Sequence, residues 1–246
     1  MWMSCFSLPT ESDREDVMKQ QLPRSFYTQD TLTAAREGLG KILVAKDRQG
    51  ITAGRIVEVE MYFGGFDQGS HSFKDRLTVR TRTLFKRGGV AYIFHSHMYW
   101  QLCFVTAQKG RGDAVLIRGL EPIEGIPIMQ KRRGKESLSD LCSGPGKLCE
   151  AMDITKRLND TSMTSKNASL WITDDGTSYT DTEILCSPRI GIPYAGDFEH
   201  KHWRLFVKDS TCVSHNSKNK DGVPYSELAK KLREEIHQLS CPPSCV

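Results

Sequence analysis

Residues 54–65 have the sequence GRIVEVEMYFGG, and the alternation of side chains in this stretch decides how the fold is interpreted. In an extended strand, successive side chains point to opposite faces of the sheet. One face is therefore apolar and the other carries two carboxylates and an aromatic ring: Val57, Val59 and Met61 against Glu58, Glu60 and Tyr62. We expect the apolar face to enter the core. For the acidic face, solvent exposure is the simplest interpretation and needs no function.

The positive charge of the chain is concentrated in one segment. Residues 74–87 hold six basic side chains and one acidic side chain. The net charge of this segment, +5, exceeds the formal net charge of +4 for all 246 residues. A local excess of basic charge favours a polyanionic partner, and nucleic acid is the commonest one. On charge alone, a solvated loop is the favoured explanation.

The eight cysteines contain no CxxC pair and no spacing typical of a zinc site. Several lie in apolar stretches, where free cysteine behaves as a small buried hydrophobe, so we expect free thiols in a reducing compartment. The first residues lack the features of a signal peptide, and no segment is long and apolar enough to span a membrane. We therefore expect a nuclear protein, or a cytoplasmic one if the source is prokaryotic.

The remaining pattern predicts a single α/β (α+β) domain with a mainly antiparallel sheet and short helices around it. Residues 1–25 are polar and aperiodic, which favours a flexible arm. A short helix is expected in QDTLTAAREGLG, with Asp30 or Thr31 as its N-cap. Residues 26–213 form the main domain, and residues 214–246 contain a polar loop followed by an amphipathic helix that docks on it. The apolar face of this helix is Leu228, Leu232, Ile236 and Leu239.

Two further residues stand out by their position. Arg118 interrupts the apolar run AVLIRGL, so its guanidinium needs an acceptor, which Glu58 or Glu60 can supply from a neighbouring strand. A structural ion pair and a functional one are equally good explanations. His71 follows Glu60 across the glycine-containing link FGGFDQG and directly precedes the basic segment, although a lone histidine is more often structural than catalytic.

Six blocks of the sequence occur together in a fixed order: GRIVEVEMY, GSHS, VRTRTLF, LIRGLEPIEG, LCSGPGKLCEAM and RIGIPYAG. In this order and at these intervals, the six blocks resemble the alkyladenine (3-methyladenine) DNA glycosylase family. The resemblance covers roughly residues 33–208. The resemblance implies one domain with a curved, mainly antiparallel sheet. It also implies that a damaged purine is flipped out of DNA and hydrolysed to leave an abasic site, without a metal or a cofactor.

The resemblance assigns roles to individual residues. Glu60 matches the general base that activates water, while Arg118 and the carbonyl of Ile190 match the groups that hold this water. Tyr62 and His71 match residues that stack on the flipped base and hydrogen-bond to it. A carboxylate suits this chemistry because the transition state resembles an oxocarbenium ion. The expected contacts to the DNA backbone are Arg76, Thr78, Arg80 and Arg82.

The sequence departs from the family in AYIFHSHMYWQLC. Phe94 stands where the family has a second pocket tyrosine, and Cys103 where it has a pocket asparagine. The tyrosine that fills the gap left by the flipped base falls at Ser96 or His97. We expect stacking to survive and discrimination among purines to weaken.

The hypothesis that follows is a monofunctional glycosylase for alkylated or deaminated purines, acting on duplex DNA as a monomer. The alternatives are a non-catalytic binder of damaged DNA and a protein interaction scaffold.

Overall fold

The strand that contains Glu58 and Glu60 is the longest in the molecule, and the sheet is built around it. The structure is a computed structural model that describes residues 20–96 and 98–240, within which the chain forms nine strands and six α-helices. The strands are β1 (Ile42–Asp47), β2 (Gly50–Tyr62), β3 (Ala91–Ser96), β4 (Tyr99–Val105), β5 (Ala114–Glu124), β6 (Leu170–Thr173), β7 (Ile184–Ser187), β8 (Arg204–Val207) and β9 (Val223–Pro224). The helices are α1 (Arg24–Tyr27), α2 (Thr31–Gly38), α3 (Ile126–Arg133), α4 (Leu138–Leu141), α5 (Pro145–Ala151) and α6 (Tyr225–Ser240).

The sheet branches at β2, because the two halves of this strand have different partners on one side. β5 pairs with β2 along one edge, while β1 and then β6 pair with its first half. The second half pairs with β8, which leads on to β7 and β9. On the other side of β5 lie β4 and β3, and every pairing between these strands is antiparallel. The predicted fold class, one α+β domain with a mainly antiparallel sheet, is confirmed.

The middle of β2 is irregular and fully buried. Its register with β5 shifts on both sides of Glu58, as in a β-bulge. Val57, Val59 and Met61 belong to the main hydrophobic core, as predicted. Glu58 and Glu60 have no exposed surface either, so the interpretation of the acidic face as solvent-exposed is wrong. Strands cover both edges of β2 at this point. The side chains of Glu58 and Glu60, on the face opposite the apolar one, contact other buried polar groups.

The helices largely follow the sequence pattern. The Asp30 side chain accepts a hydrogen bond from Thr33 N at 2.9 Å and caps α2, so the first of the two proposed N-caps is the correct one. In α6, Leu232 is buried, and the other three predicted apolar residues pack against the main core. This helix therefore docks on the body. No helix among the described residues is long and apolar enough to cross a membrane.

The two ends of the chain differ in how much can be described. Residues 1–19 of the predicted arm and residues 241–246 lie outside the described residues. Residues 22–24, which we assigned to the arm, contact the folded body. Leu22 N donates to Ile172 O at 2.8 Å, and the Arg24 guanidinium donates to Gly88 O at 2.6 Å.

The cysteines of the described residues are free and buried, as predicted: Cys103, Cys142, Cys149, Cys186 and Cys212. Burial raises the pKa of the Cys142 and Cys186 thiols to about 12, so these side chains behave as small core residues. Cys5, Cys241 and Cys245 lie outside the described residues.

Candidate active site

Arg118 joins both buried carboxylates of β2. From β5, its Nε donates to Glu58 Oε1 at 3.0 Å and its Nη1 donates to Glu60 Oε2 at 3.3 Å. The two acceptors that the sequence offers for this arginine are therefore both used. These carboxylates raise the pKa of Arg118 despite its desolvation by burial. The arrangement fixes the guanidinium between two side chains of one strand.

Glu58, for which the sequence offered no role of its own, is the structural anchor of this cluster. Besides Arg118, it accepts from Arg204 Nε at 2.7 Å, from Ser214 N at 2.8 Å and from Ser214 Oγ at 2.7 Å. The two guanidinium groups and the Ser214 donors hold the pKa of Glu58 below its usual range in spite of its burial. All of its contacts are internal, so Glu58 positions Arg118.

Glu60 has a different set of donors, and each of them also lines a pocket. Ile190 N donates to Oε1 at 2.7 Å, and Tyr62 Oη donates to Oε2 at 2.8 Å, beside the Arg118 contact. Burial and the neighbouring Glu60 raise the pKa of Tyr62 well above its usual value, so Tyr62 is a hydrogen-bond donor. Glu60 therefore lies directly behind the pocket wall, and the 3.3 Å bond from Arg118 is the longest of its three contacts.

A buried ion pair supports the ring of Tyr62. Arg189 donates to both oxygens of Asp67, at 2.6 and 2.8 Å, and to Met61 O at 2.9 Å. Its guanidinium carbon lies 4.5 Å from the centre of the Tyr62 ring and 5.0 Å from that of Trp203. One face of the Tyr62 ring is thereby covered by a fixed cation, while the residue also lines the pocket.

The pocket opens where β4 separates from β5. The ladder between these strands ends at the pair Cys103 and Leu116, and the next residues on the same face, Gln101 and Arg118, both line the pocket. The cavity has a volume of about 220 Å³. Its wall includes most of the predicted base-binding and water-binding residues, together with one of the two predicted gap-filling residues, Ser96. The former are Tyr62, His71, Phe94, Cys103, Arg118 and Ile190.

His71 reaches the pocket because the chain turns back after β2. Gly65 has a φ of 69°, which favours glycine, and Lys74 N donates to Gly65 O at 2.7 Å, so the loop closes on itself. His71 and Tyr62 thereby line the same pocket. Its ring lies edge-on to Phe94, with the two ring centres 4.7 Å apart.

The hydrogen bonds of His71 define its tautomer. Arg80 Nη2 lies 3.1 Å from His71 Nε2, and a guanidinium can only donate, so Nε2 is the acceptor. Nδ1 then carries the proton and donates to Tyr92 Oη at 3.0 Å. Burial, and secondly the charge of Arg80, lower the pKa of His71 to about 4, so the ring is neutral at physiological pH.

The tip of the β3–β4 hairpin differs from what the sequence suggested. Ser96 is half-buried and lines the pocket, and His97 lies outside the described residues. Among the described residues of the tip, the large hydrophobic side chains of Met98 and Tyr99 are 87% and 53% exposed. Met98 has a φ of 70°, as tight hairpin turns require. The sequence offered a signal for this, the aromatic Tyr99 next to the turn, but the resemblance pointed to Ser96 or His97 instead.

The basic segment lies beside the pocket. Arg76, Arg80 and Arg82 are exposed. Arg80 is bound to His71 at the pocket mouth, whereas Arg76 and Arg82 have no acidic partner among the described residues. The hydroxyl of Thr78 contacts that of Thr81 at 3.0 Å, and this contact orders the loop.

Sequence reasoning missed the residues that support the site from other parts of the chain. Arg204 begins β8, between Trp203 and the apolar residues of the strand, and so gave a weaker form of the signal that Arg118 gave inside β5. Asp67 and Arg189 are 122 positions apart, and no feature of the sequence indicated that they form a pair. The polar segment 214–222 contributes Ser214, and also Asn219, whose Oδ1 accepts from Arg204 at 2.8 Å.

These features define a class: an α+β protein with a carboxylate, a guanidinium and an aromatic plate around a base-sized pocket next to a basic loop. Residues 25–211 match the family model of methylpurine-DNA glycosylase (MPG). The chain belongs to this family.

Relatives along most of the chain carry the name "Putative 3-methyladenine DNA glycosylase". The protein of Clostridium novyi (strain NT) is 40% identical over 204 residues, which cover 79% of this chain and 98% of the relative. That of Methanocella arvoryzae is 43% identical over 195 residues, covering 78% and 95%. That of Bacillus licheniformis is 37% identical over 195 residues, covering 79% and 97%.

Proposed function

We propose that this protein is a monofunctional DNA glycosylase that hydrolyses the N-glycosidic bond of an alkylated or deaminated purine and leaves an abasic site. One observation carries the proposal. The carboxylate of Glu60 is fixed behind the wall of the pocket by three groups that belong to that wall, namely Arg118, Tyr62 and the backbone N–H of Ile190. The family membership of the chain supports the same reaction class.

The proposed chemistry follows from this arrangement. Cleavage of a purine nucleotide develops positive charge on the sugar, which a nearby carboxylate stabilises. Glu60 takes a proton from a water that enters between the carboxylate and the pocket, and that water attacks the anomeric carbon as the N-glycosidic bond breaks. The electron pair of this bond leaves on the purine, so that a cationic base departs neutral and a neutral base takes up a proton from solvent. Arg118 orients Glu60 and is the side chain nearest to this water. The bond between Arg118 and Glu60 is the contact that opens to admit it.

The pocket suits a single extruded base. Its volume of about 220 Å³ is below the ~300–1,000 Å³ that is usual for drug-sized ligands. Tyr62, His71 and Phe94 supply aromatic surface for stacking, as enzymes that act on flipped bases require. Phe94 lacks the hydroxyl of the family's tyrosine but keeps the aromatic ring, which contacts the His71 ring. The stacking surface therefore stays complete.

Binding to duplex DNA, by a monomer, is part of the proposal. Arg76 and Arg82 contact phosphates beside the extruded nucleotide. Arg80 releases its contact with His71 and binds a phosphate instead. Met98 and Tyr99, and not Ser96, enter the space that the flipped base leaves, because they are exposed on the hairpin.

The expected nuclear localisation finds no support in the relatives. These are mostly bacterial, an origin that is consistent with the cytoplasmic alternative.

A second candidate function is non-catalytic binding of damaged DNA. The observation that favours it is that Glu60 has no exposed surface, so its carboxylate is not open to the pocket in this arrangement. The two functions predict different outcomes with the same DNA.

The test is single-turnover release of base from duplex oligonucleotides that contain hypoxanthine, ethenoadenine or 7-methylguanine, with abasic sites cleaved by alkali. The proposal predicts strand cleavage at one or more of these lesions above the uncatalysed rate. Tight binding to all three without any release would establish the non-catalytic alternative. Failure to distinguish damaged from undamaged duplex would contradict both functions.

A further inference from the structure

We propose that Gln101 is a specificity-determining residue that hydrogen-bonds to the edge of the extruded purine. This inference rests on the proposed function and deepens it, because it names the chemical class of base that the pocket prefers. It concerns a side chain to which neither the sequence pattern nor the resemblance assigned any role. The preferred class is neutral purines whose edge offers a hydrogen-bond donor next to an acceptor, such as hypoxanthine.

The register of the β3–β4 hairpin places Gln101 next to the stacking surface. Phe94 is paired with Gln101, and Tyr92 is paired with Cys103. Directly opposite residues in an antiparallel pair lie on the same face with Cβ atoms about 5 Å apart. All four residues line the pocket, so they form one patch in which Gln101 lies beside Phe94.

The separation of β4 from β5 leaves Gln101 facing the cavity. The β4–β5 ladder ends at Cys103 and Leu116, which removes the neighbouring strand from the side of Gln101. Arg118, the next residue on the same face of β5, lines the opposite side of the opening. A base that enters this opening therefore has Arg118 and the hidden Glu60 on one side and the Gln101 amide on the other.

Gln101 also stands apart because its amide has no hydrogen-bond partner in the described part of the chain. The other hydroxyl, imidazole and guanidinium groups of the wall are engaged. Tyr62 donates to Glu60, Tyr92 pairs with His71, and Ser70 pairs with Ser72. A half-buried amide that faces a cavity with both its donor and its acceptor unused is ready to bind a ligand with the complementary pair.

The chemistry of an amide sets the preference. A glutamine side chain can donate and accept at adjacent positions, as it does in bidentate contacts to adenine. Hypoxanthine presents O6 and N1–H side by side, which match this pair. In ethenoadenine the added ring bridges N1 and N6, so the base presents no donor there and leaves the amide partly unpaired. Normal adenine also matches the amide, but a correctly paired base resists extrusion.

The experiment compares wild type with Gln101→Met, which keeps the length of the side chain and removes the amide. Two quantities are measured on duplexes with hypoxanthine or ethenoadenine: the single-turnover rate of base release and the equilibrium affinity at fixed salt. Gln108→Met is the matched control, because Gln108 is exposed and lies outside this pocket. Thermal unfolding checks that each variant folds.

We expect Gln101→Met to lower release of hypoxanthine, and affinity for its duplex, about tenfold, with changes of no more than about twofold for ethenoadenine. The Gln108 control leaves both substrates unchanged. Equal changes for the two lesions, or no change for either, would overturn the assignment even if the wild type is an active glycosylase. If the wild type releases no base, the proposed glycosylase function fails, and the ratio of the two affinities still decides the role of Gln101.

Discussion

At the scale of single residues, the site is a set of buried charges that balance one another. A buried charge is costly unless it is paired, and removal of one partner of a pair is strongly destabilising. Here three carboxylates face three guanidinium groups, all nearly or fully inaccessible to solvent: Glu58, Glu60 and Asp67 with Arg118, Arg189 and Arg204. Their mutual pairing leaves the floor of the pocket with little net charge.

His71 provides a prediction at this scale. Because burial and the charge of Arg80 lower its pKa to about 4, we expect its imidazole to stay neutral from pH 8 down to about pH 5. The unfolded chain binds this proton near pH 6.5, so the free energy of unfolding falls as the pH drops from about 6.5 to about 4. The titration of His71 by NMR, assigned with a His71→Gln variant, measures the midpoint.

The Arg80→Gln variant separates the two causes. Loss of the neighbouring charge raises the midpoint of His71, but burial is the larger cause, so the midpoint stays below the ordinary value of 6.5. A midpoint of 6 or above in the wild type would show that His71 is solvated and that the assigned contacts to Tyr92 and Arg80 do not form.

Part of this residue-level arrangement could be predicted from the sequence. Strand alternation paired Glu60 with Tyr62, and an arginine in an apolar run indicated that Arg118 needs a carboxylate. The contact of Arg189 with Asp67 could not be predicted, because it depends on two loops that meet only in the folded chain. The tautomer of His71 likewise depends on the position of Arg80.

At the scale of elements, the β3–β4 hairpin carries the part of the site that departs most from the family pattern. We predict that the double variant Met98→Ala, Tyr99→Ala weakens binding to lesion-containing duplex about tenfold or more, because no side chain then fills the vacated stack. Its affinity for single-stranded DNA with the same lesion stays nearly unchanged. Fluorescence anisotropy measures both affinities.

Leu138→Ala is the control for the hairpin variant, since Leu138 is 48% exposed and does not line the pocket. A double variant that binds duplex as tightly as this control would rule out a gap-filling role for Met98 and Tyr99.

The segment after β8 supports the site although it lies beyond the residues that match the family model. Ser214 Oγ donates to the ionised Glu58 at 2.7 Å. A buried hydrogen bond to a charged group contributes about 2 kcal/mol, so Ser214→Ala should lower the free energy of unfolding by that amount. Denaturant unfolding measures it, with Ser178→Ala, at an exposed position, as the control. Equal stabilities of the two variants would contradict the anchoring of Glu58 by this segment.

The elements themselves were largely predictable, whereas the places that create the site were not. Side-chain alternation indicated the strands of the antiparallel sheet. Helix caps and amphipathic spacing indicated α2 and α6. The bulge at Glu58 and the separation of β4 from β5 depend on tertiary packing, which local patterns do not record. The exposure of Met98 and Tyr99 follows from a tight turn whose register the sequence left open.

At the scale of the whole molecule, function depends on where the positive charge lies. Arg76 and Arg82 are exposed on the loop beside the pocket, so each is expected to displace one counterion from duplex DNA. We predict that Arg76→Gln and Arg82→Gln each reduce the slope of log affinity against log salt by about 1. The slope is measured by titration at several salt concentrations.

Arg48→Gln is the matched control for these variants, because Arg48 is exposed on the β1–β2 turn, outside the basic segment. If all three variants reduce the slope equally, the protein binds DNA through its general charge, and the basic segment is not the contact surface.

The central claim is that Glu60 activates water in the pocket, and it is tested most directly by single-turnover base release from wild type, Glu60→Gln and Glu121→Gln. Glu121 is an exposed carboxylate on β5 and serves as the control. We predict that Glu60→Gln releases base at least 100-fold more slowly while it still binds the lesion duplex, and that Glu121→Gln matches the wild type. Release by a folded Glu60→Gln protein at the wild-type rate would contradict the claim.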